Sequence, residues 1–311
     1  MTLIAMLIFP SRGAAIETQL KFSEGLRSDG LDWNIAGTMA GTNPNILSEL
    51  TWENVLSHYM EGELTIRGER KLFSPYIWLF GGYGWIFDGE NQDSDYFGNN
   101  RTLEFSRSKS DADDGEVWDF GANLGLAFQF SGKNAFFSII PFIGYTYRAQ
   151  DFTMTNGVQV LDPYSLFGGT GPFPGLDNSY ETRWYGPLTG LRLEYKLLDL
   201  NQKKRFMFWL EGDYTRFDYE AEANWNLRTD FAHPKSFEHS AEGDGYKLRG
   251  GFDFFLTKIL ALGFKGEYTD WTADKKGVDK VYFADGTTAK TKLNEVNWES
   301  WSAMLALSLV F

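Results

Sequence analysis

The chain has 311 residues, no cysteine and a formal net charge of −13. The absence of cysteine excludes a disulfide framework and thiol chemistry, and the negative charge argues against a nucleic-acid partner, which requires a basic surface. Aromatic residues make up 17% of the chain, yet no internal apolar run reaches the roughly 18 residues of a membrane-spanning helix. A membrane location would therefore require a closed β-barrel, the other fold that satisfies every backbone group in lipid.

The first 15 residues have features of an export signal. A short apolar segment, Thr2–Phe9, precedes Gly13 and Ala15, which suit the −3 and −1 positions of a cleavage site. The basic start of a signal peptide is missing, either because the start codon is placed too far downstream or because the segment is not a signal. We favour the first explanation. We expect residues 1–15 to be a truncated signal peptide and residues 16–311 to form one barrel domain.

Ten segments then show the two-residue periodicity of a strand. They cover about 18–35, 47–69, 76–87, 118–128, 136–151, 191–196, 206–214, 246–254, 260–268 and 296–311. In the last segment the apolar face runs from Trp301 to Phe311, with smaller and more polar residues between. About ten residues is the length of a tilted strand that crosses a bilayer, and aromatic rings are favoured at both membrane interfaces.

Short turns alternate with long loops along the chain. Turns are predicted at 70–75, 131–134, 200–204 and 256–258, and loops at 37–45, 88–116, 152–179, 219–238 and 269–294. Outer-membrane barrels have short periplasmic turns and long extracellular loops. The sequence therefore predicts an all-β fold: a single ten-stranded antiparallel transmembrane β-barrel in the cell outer membrane, with both termini in the periplasm.

The predicted inward faces carry charges of both signs in similar numbers. These residues are Lys21, Glu61, Glu63, Arg67, Arg192, Glu194, Glu211, Asp213, Lys247, Arg249, Asp253, Lys265 and Glu267. Ten strands enclose little more than their own side chains. We therefore expect the charges to pair and plug the lumen, although a narrow water channel lined by the same charges is the alternative.

The segment 88–116 is strongly acidic, with nine carboxylates against Arg101, Arg107 and Lys109. Such a rim attracts cations, either basic peptides or divalent ions. The alternative is solvated surface charge without a partner.

The ten strands with long extensions resemble the omptins, a family of outer-membrane proteases. The segment Asn91–Tyr96 is similar to the omptin Asp-x-Asp-aromatic motif at the top of the third strand. By that resemblance Asp93 and Asp95 are the aspartate pair. Residues i and i+2 share one strand face, and neighbouring like charges raise one pKa, which suits activation of a water molecule. The resemblance also implies a partnership with lipopolysaccharide in outer-membrane lipid.

The second half of the omptin pattern differs in this chain. Omptins have Asp-x-His at the top of the seventh strand, whereas here Asp230 and His233 are three residues apart. On a strand these two side chains would face opposite sides, so only an irregular loop would bring them together. His233 is nevertheless the histidine expected for a protease, because His58 shares a face with the outward Met60 and His239 lies closer to the membrane.

The architecture also resembles the Protochlamydia outer membrane protein family, whose barrels are porin-like. The resulting expectation is an integral outer-membrane barrel with a mostly plugged, charged lumen and a porin-like, structural or binding role. The alternative is an omptin-type endopeptidase that cleaves at basic residues on the cell surface, with Asp93, Asp95, Asp230 and His233 as catalytic residues. Whether the protein is an enzyme stays open, and no cofactor or metal site is expected.

Overall fold

A computed structural model describes residues 16–68, 73–198 and 204–311, which are almost entirely β-strand. The described residues include no helix long and apolar enough to cross a membrane. The strands are β1 Ile16–Ile35, β2 Ser48–Gly68, β3 Phe73–Gly98, β4 Thr102–Ser131, β5 Ala135–Leu161, β6 Gly171–Pro172, β7 Asp177–Leu198, β8 Lys204–Asn224, β9 Phe237–Phe255, β10 Leu260–Tyr282, β11 Thr288–Thr291 and β12 Leu293–Val310.

Ten long strands close into a ring. Each pairs antiparallel with its neighbours, and β12 completes the ring by pairing with both β10 and β1. The short strands β6 and β11 add to β5 and β10 at one end only. We call this the loop end and the opposite end, where β1 starts and β12 finishes, the turn end. The prediction of a ten-stranded antiparallel barrel is confirmed.

The outer surface carries a continuous apolar belt. Exposed residues such as Phe22, Leu124, Ile143, Leu248 and Leu305 alternate with buried residues along their strands. Exposed aromatic residues lie on the loop-end side of the belt (Trp85, Tyr145, Tyr246, Tyr268 and Trp301) and on its turn-end side (Phe73, Phe130, Phe137 and Phe311). This arrangement is typical of a barrel wall in contact with lipid.

The third strand, whose register the sequence leaves ambiguous, turns Trp78 inward and Leu79 outward. The indole Nε1 of Trp78 donates a hydrogen bond to Glu63 Oε2 at 3.0 Å. Because indole has an N–H donor that requires a partner when buried, this bond favours the inward orientation.

The predicted loop at 88–116 is wrong. β3 continues to Gly98 and β4 begins at Thr102, so only residues 99–101 connect them. β5, β7, β8, β9 and β10 also extend further than predicted. Beyond the apolar belt the outer face of these strands is polar, and the apolar residues lie on the inner face, as Phe217 and Tyr219 do in β8. The outward apolar pattern of the belt therefore ends although the backbone ladder continues.

The short turns after β4 and β9 are confirmed, at 132–134 and 256–259. The turn predicted at 70–75 falls partly, and the turn at 200–204 mostly, outside the described residues. The signal peptide predicted at 1–15 lies wholly outside them.

Ion pairs fill the part of the lumen inside the apolar belt. Lys265 contacts Glu61 and lies 3.0 Å from Glu63, while Arg249 lies 2.8 Å from Glu211. Further pairs are Lys21–Asp253, Arg67–Glu194, Arg192–Glu194, Lys247–Asp213, Arg27–Asp119 and Arg148–Glu267. The predicted inward charges therefore do face inward, and they pair with one another across the lumen.

Above the charges, toward the loop end, lies a packed layer of aromatic side chains. Its members are Trp33, Trp52, Phe152, Tyr180, Trp184, Phe217, Tyr219, Phe237, Trp271 and Trp298. Trp184 has no exposed surface and contacts Tyr219 and Trp298 at ring-centroid distances of 4.3 and 5.8 Å. This aromatic layer separates the loop end from the charged lumen.

Candidate functional site

Asp93 and Asp95 lie on the inner face of β3 at the loop end. The β-ladder sets Asp95 opposite Ser48 on β2 and Ser106 on β4, so hydroxyl groups flank the pair on both sides. Both aspartates are half-buried. The Ser48 hydroxyl donates to Asp93 Oδ1 at 3.5 Å. Strand periodicity thus places the two carboxylates side by side, as the sequence predicts.

The two carboxylates line a cavity of about 270 Å³ above the aromatic layer. Its floor includes Leu50 and Met154, which belong to the same buried cluster as the aromatic layer. Its apolar side is formed by Phe167, Phe173 and Leu176 from the connection 162–176, and by Trp225 and Leu227 from the connection 225–236. Asn91, Ser106, Ser108, Ser110, Gln159, Asn178 and Arg228 complete the lining.

The connection that covers the cavity is held in shape by Asp162. Its carboxylate oxygens accept hydrogen bonds from the backbone N–H groups of Leu166, Phe167 and Gly169, with N–O distances of 2.8, 3.0 and 2.8 Å. Gly169 has φ of +97°, in the left-handed region that glycine adopts without steric cost. The apolar wall is therefore presented by an ordered loop with specific backbone requirements.

Electrostatics in the cavity disfavour two fully charged carboxylates. Burial, together with the charge of Asp95, raises the pKa of Asp93 well above its usual 3.8. Burial also raises the pKa of Asp95. A pair in this condition retains a proton to a higher pH than isolated aspartates, and a cation in the cavity would relieve the repulsion.

Arg228 is the cation that lines the same cavity. Its positive charge opposes the rise in the pKa of Asp93 and Asp95, but both pKa values remain raised. The guanidinium is held by Asp230, with Nε to Oδ1 at 2.9 Å and Nη2 to Oδ2 at 2.8 Å, and it stacks on Phe231 at 4.1 Å. No sequence pattern distinguishes Arg228, although it lies only two residues before Asp230.

Asp230 and His233 do not line the cavity. Asp230 is engaged by Arg228, and the hydrogen bond from that guanidinium lowers its pKa. The exposed His233 ring lies 2.8 Å from Asn224 Oδ1 through Nδ1 and 3.2 Å from the Arg228 carbonyl oxygen through Nε2. The structure therefore brings together Asp93, Asp95 and Arg228, and it leaves Asp230 and His233 in the adjoining loop.

The other two histidines are also outside the cavity. His239 is buried in the aromatic layer, with Nδ1 2.8 Å from the Tyr180 hydroxyl and Nε2 3.3 Å from Asp279 Oδ1. Asp279 and Tyr180 are distant in sequence from His239, so the sequence gives no signal for this contact. His58 is exposed on the outer face and stacks on Phe87 at 4.6 Å, on the outward side that its parity predicts.

The fold is similar to that of an outer-membrane protein of known structure. Outer membrane protease OmpT from Escherichia coli matches 96% of this chain and 99% of its own, with a TM-score of 0.73 and 15% identity. At this identity the similarity shows the fold. OprG from Pseudomonas aeruginosa matches 94% of this chain and 95% of its own, with a TM-score of 0.32 and 10% identity.

No curated protein matches this sequence. The family model described as Protochlamydia outer membrane protein matches residues 21–311, which include all the described barrel except its first five residues. The chain therefore belongs to the Protochlamydia outer membrane protein family and is an outer-membrane β-barrel.

Proposed function

We propose that this protein is a closed binding barrel, which takes a positively charged ligand into the cavity at Asp93 and Asp95 and does not conduct solutes. One observation carries the proposal. Two carboxylates line the same cavity, and neither has an ion-pair partner within 4.0 Å among the described residues. Half-buried carboxylates without a paired cation lose part of their hydration without compensation, so a ligand cation would be favoured there.

The proposal includes an orientation in the outer membrane. Barrels of this class have short turns in the periplasm, so the turn end and both termini would be periplasmic and the cavity would open at the cell surface. The exposed aromatic residues on the loop-end side would meet the headgroup region of lipopolysaccharide. Cationic peptides are candidate ligands from outside the cell.

A porin-like role would require a continuous water path, which the side chains of the lumen oppose. Arg27, Asp119 and Arg148 are each at most 2% exposed, and the aromatic layer covers them. In planar bilayers the refolded barrel should therefore give no steady large conductance, whereas an open porin in the same bilayer gives clear steps. A large, stable open conductance would contradict the closed barrel and support the porin-like role.

Binding of an amine should weaken on acidification. The raised pKa values of Asp93 and Asp95 mean that both groups become neutral at a higher pH than the usual 3.8, and the neutral forms no longer attract a cation. Affinity for a simple organic amine, measured by calorimetry, should therefore rise as the pH is increased from acidic to neutral. Asp93→Asn should reduce this pH dependence, because Asp95 is then the one remaining carboxylate of the pair.

Asp113→Asn is the matched control for that experiment. Asp113 is an exposed carboxylate on β4 that does not line the cavity, so its removal should leave the amine affinity and its pH dependence unchanged. Amine binding that is the same in Asp93→Asn as in the unmodified protein would exclude this cavity as the binding site.

One observation favours an omptin-type protease as a second candidate. The Asp93–Asp95 pair, with elevated pKa values, is suited to hold and activate a water molecule against a peptide carbonyl. The fold similarity to outer membrane protease OmpT is consistent with this role. However, the cavity lining has no histidine among the described residues, and His233 would have to leave its contacts with Asn224 and Arg228 to take part.

A cleavage assay tests the protease candidate. Barrel refolded with lipopolysaccharide would cut a fluorogenic dibasic peptide, and Asp93→Ala and His233→Ala would each lower the rate at least about a hundredfold, the low end of general acid–base contributions. Fully folded protein that cuts no basic peptide would exclude the protease. Cleavage that survives His233→Ala would exclude the assigned role of that histidine.

A further inference from the structure

The cavity lining offers a guanidinium group that can bind an anion, as well as two carboxylates that can bind a cation. Asp230 occupies only the Nε–Nη2 edge of the Arg228 guanidinium. A guanidinium has a second edge, Nη1–Nη2, with the spacing of a carboxylate. Nη1 is not hydrogen-bonded to any residue in the described part of the chain. Arg228 lines the cavity, and no residue in the described part of the chain occupies this second edge.

The arrangement of charges matches two groups a short distance apart on one ligand. Asp93, Asp95 and Arg228 line one cavity of about 270 Å³, so the acidic and basic walls are close enough to act on the same small molecule. An ammonium group suits the two carboxylates, and a carboxylate suits the guanidinium edge. A ligand with only a positive charge would leave the Arg228 edge unused.

The size and apolar wall of the cavity restrict the ligand further. A volume of about 270 Å³ is below the usual range of pockets for drug-sized molecules. It accommodates a molecule the size of one amino acid, whereas an extended peptide would protrude. Phe173, Leu176 and Trp225 line the cavity together with Met154, so the ligand should also have an apolar group.

We infer that the cavity binds a zwitterionic α-amino acid with an apolar side chain. The ammonium group lies between Asp93 and Asp95, and the carboxylate lies on the free edge of Arg228. The side chain packs against the apolar wall of the 162–176 connection. This inference rests on the proposed binding function and narrows its ligand from any cation to a zwitterion.

Three probes of similar shape separate these contacts. L-phenylalanine has both charges, L-phenylalaninamide has only the positive charge, and N-acetyl-L-phenylalanine has only the negative charge. Calorimetry on the refolded full barrel should show that phenylalanine binds about tenfold more tightly than the amide, the usual effect of a hydrogen bond to a charged group. N-acetyl-phenylalanine should show no measurable binding.

Substitutions assign each end of the ligand. Arg228→Gln should abolish the preference for phenylalanine over its amide, and Arg228→Lys, which keeps the charge but lacks the planar edge, should reduce it. Asp93→Asn should weaken both ligands. Arg101→Gln is the control, because Arg101 is an exposed loop-end arginine paired with Glu49 and is not part of the cavity lining; this variant should keep the full preference.

The outcomes distinguish the inference from the proposed function. If the affinity for the amide equals or exceeds the affinity for phenylalanine, the inference of a zwitterionic ligand is wrong and the proposed cation-binding barrel remains. Absence of binding by both phenylalanine and the amide, in protein that shows the heat-modifiable band of a folded barrel, would overturn the inference and the proposed function together. A preference that persists in both Arg228 variants would overturn the assigned role of Arg228.

Discussion

Replacing Lys265 with methionine should destabilise the barrel by about 3–5 kcal/mol, the usual effect of breaking a buried ion pair on one side. Lys265 is 1% exposed, and its ammonium group lies between Glu61 and Glu63. Methionine keeps most of the side-chain volume, so the loss measures charge rather than packing. Among the described residues, Glu61 would keep only Arg249 Nη1, which is 3.9 Å away, as its remaining cation.

Urea-induced unfolding in lipid vesicles, followed by tryptophan fluorescence, measures this loss. Adding Glu61→Gln to Lys265→Met should recover part of the stability, because it removes one of the carboxylates left without a partner. Lys276→Met is the control, since Lys276 pairs with Glu242 at an exposed position and exposed pairs contribute little. If the two lysine substitutions had equal effects, the charged lumen would be hydrated rather than closed.

The strands within the apolar belt were predictable because one physical constraint acts on every second residue there. Lipid selects apolar side chains on the outside while the lumen selects charged or small ones, so β12 and β4 show the pattern without ambiguity. The extension of β3 beyond the belt lacks this contrast. Asp88, Glu90 and Gln92 alternate with Gly89 and Asn91, so neither face of this segment is apolar. Only the backbone ladder to β2 and β4 shows that the segment is a strand.

The candidate site was predictable in part for a similar reason. Asp93 and Asp95 are two residues apart on one strand, so their proximity follows from local geometry. Arg228 reaches the same cavity from the β8–β9 connection, and contacts between distant loops leave no periodic signal in a single sequence. The apolar cover from Phe173 and Leu176 depends on the turns around Asp162, which a Gly/Pro-rich composition indicates but does not specify.

Replacing Trp184 with alanine should destabilise the barrel by about 3–5 kcal/mol, the range for removal of a large buried aromatic side chain. Trp184 contacts Phe217, Tyr219, Trp271 and Trp298 with ring-centroid distances between 4.3 and 6.1 Å. Its indole Nε1 also donates to Gln150 Oε1 at 3.0 Å, and alanine would leave that amide oxygen without this donor. The cavity cannot collapse easily, because the surrounding side chains come from a closed ring of strands.

Trp301→Ala is the matched control for this prediction, since Trp301 is 50% exposed on the outer face and lipid can fill the space that it leaves. Unfolding should therefore show a much larger loss for Trp184→Ala. Conductance should stay low in both variants, because Arg27, Asp119 and Arg148 still fill the lumen next to the aromatic layer. Equal stabilities would mean that the aromatic layer is not a packed core. An open channel in Trp184→Ala alone would mean that the aromatic layer, and not the ion pairs, closes the barrel.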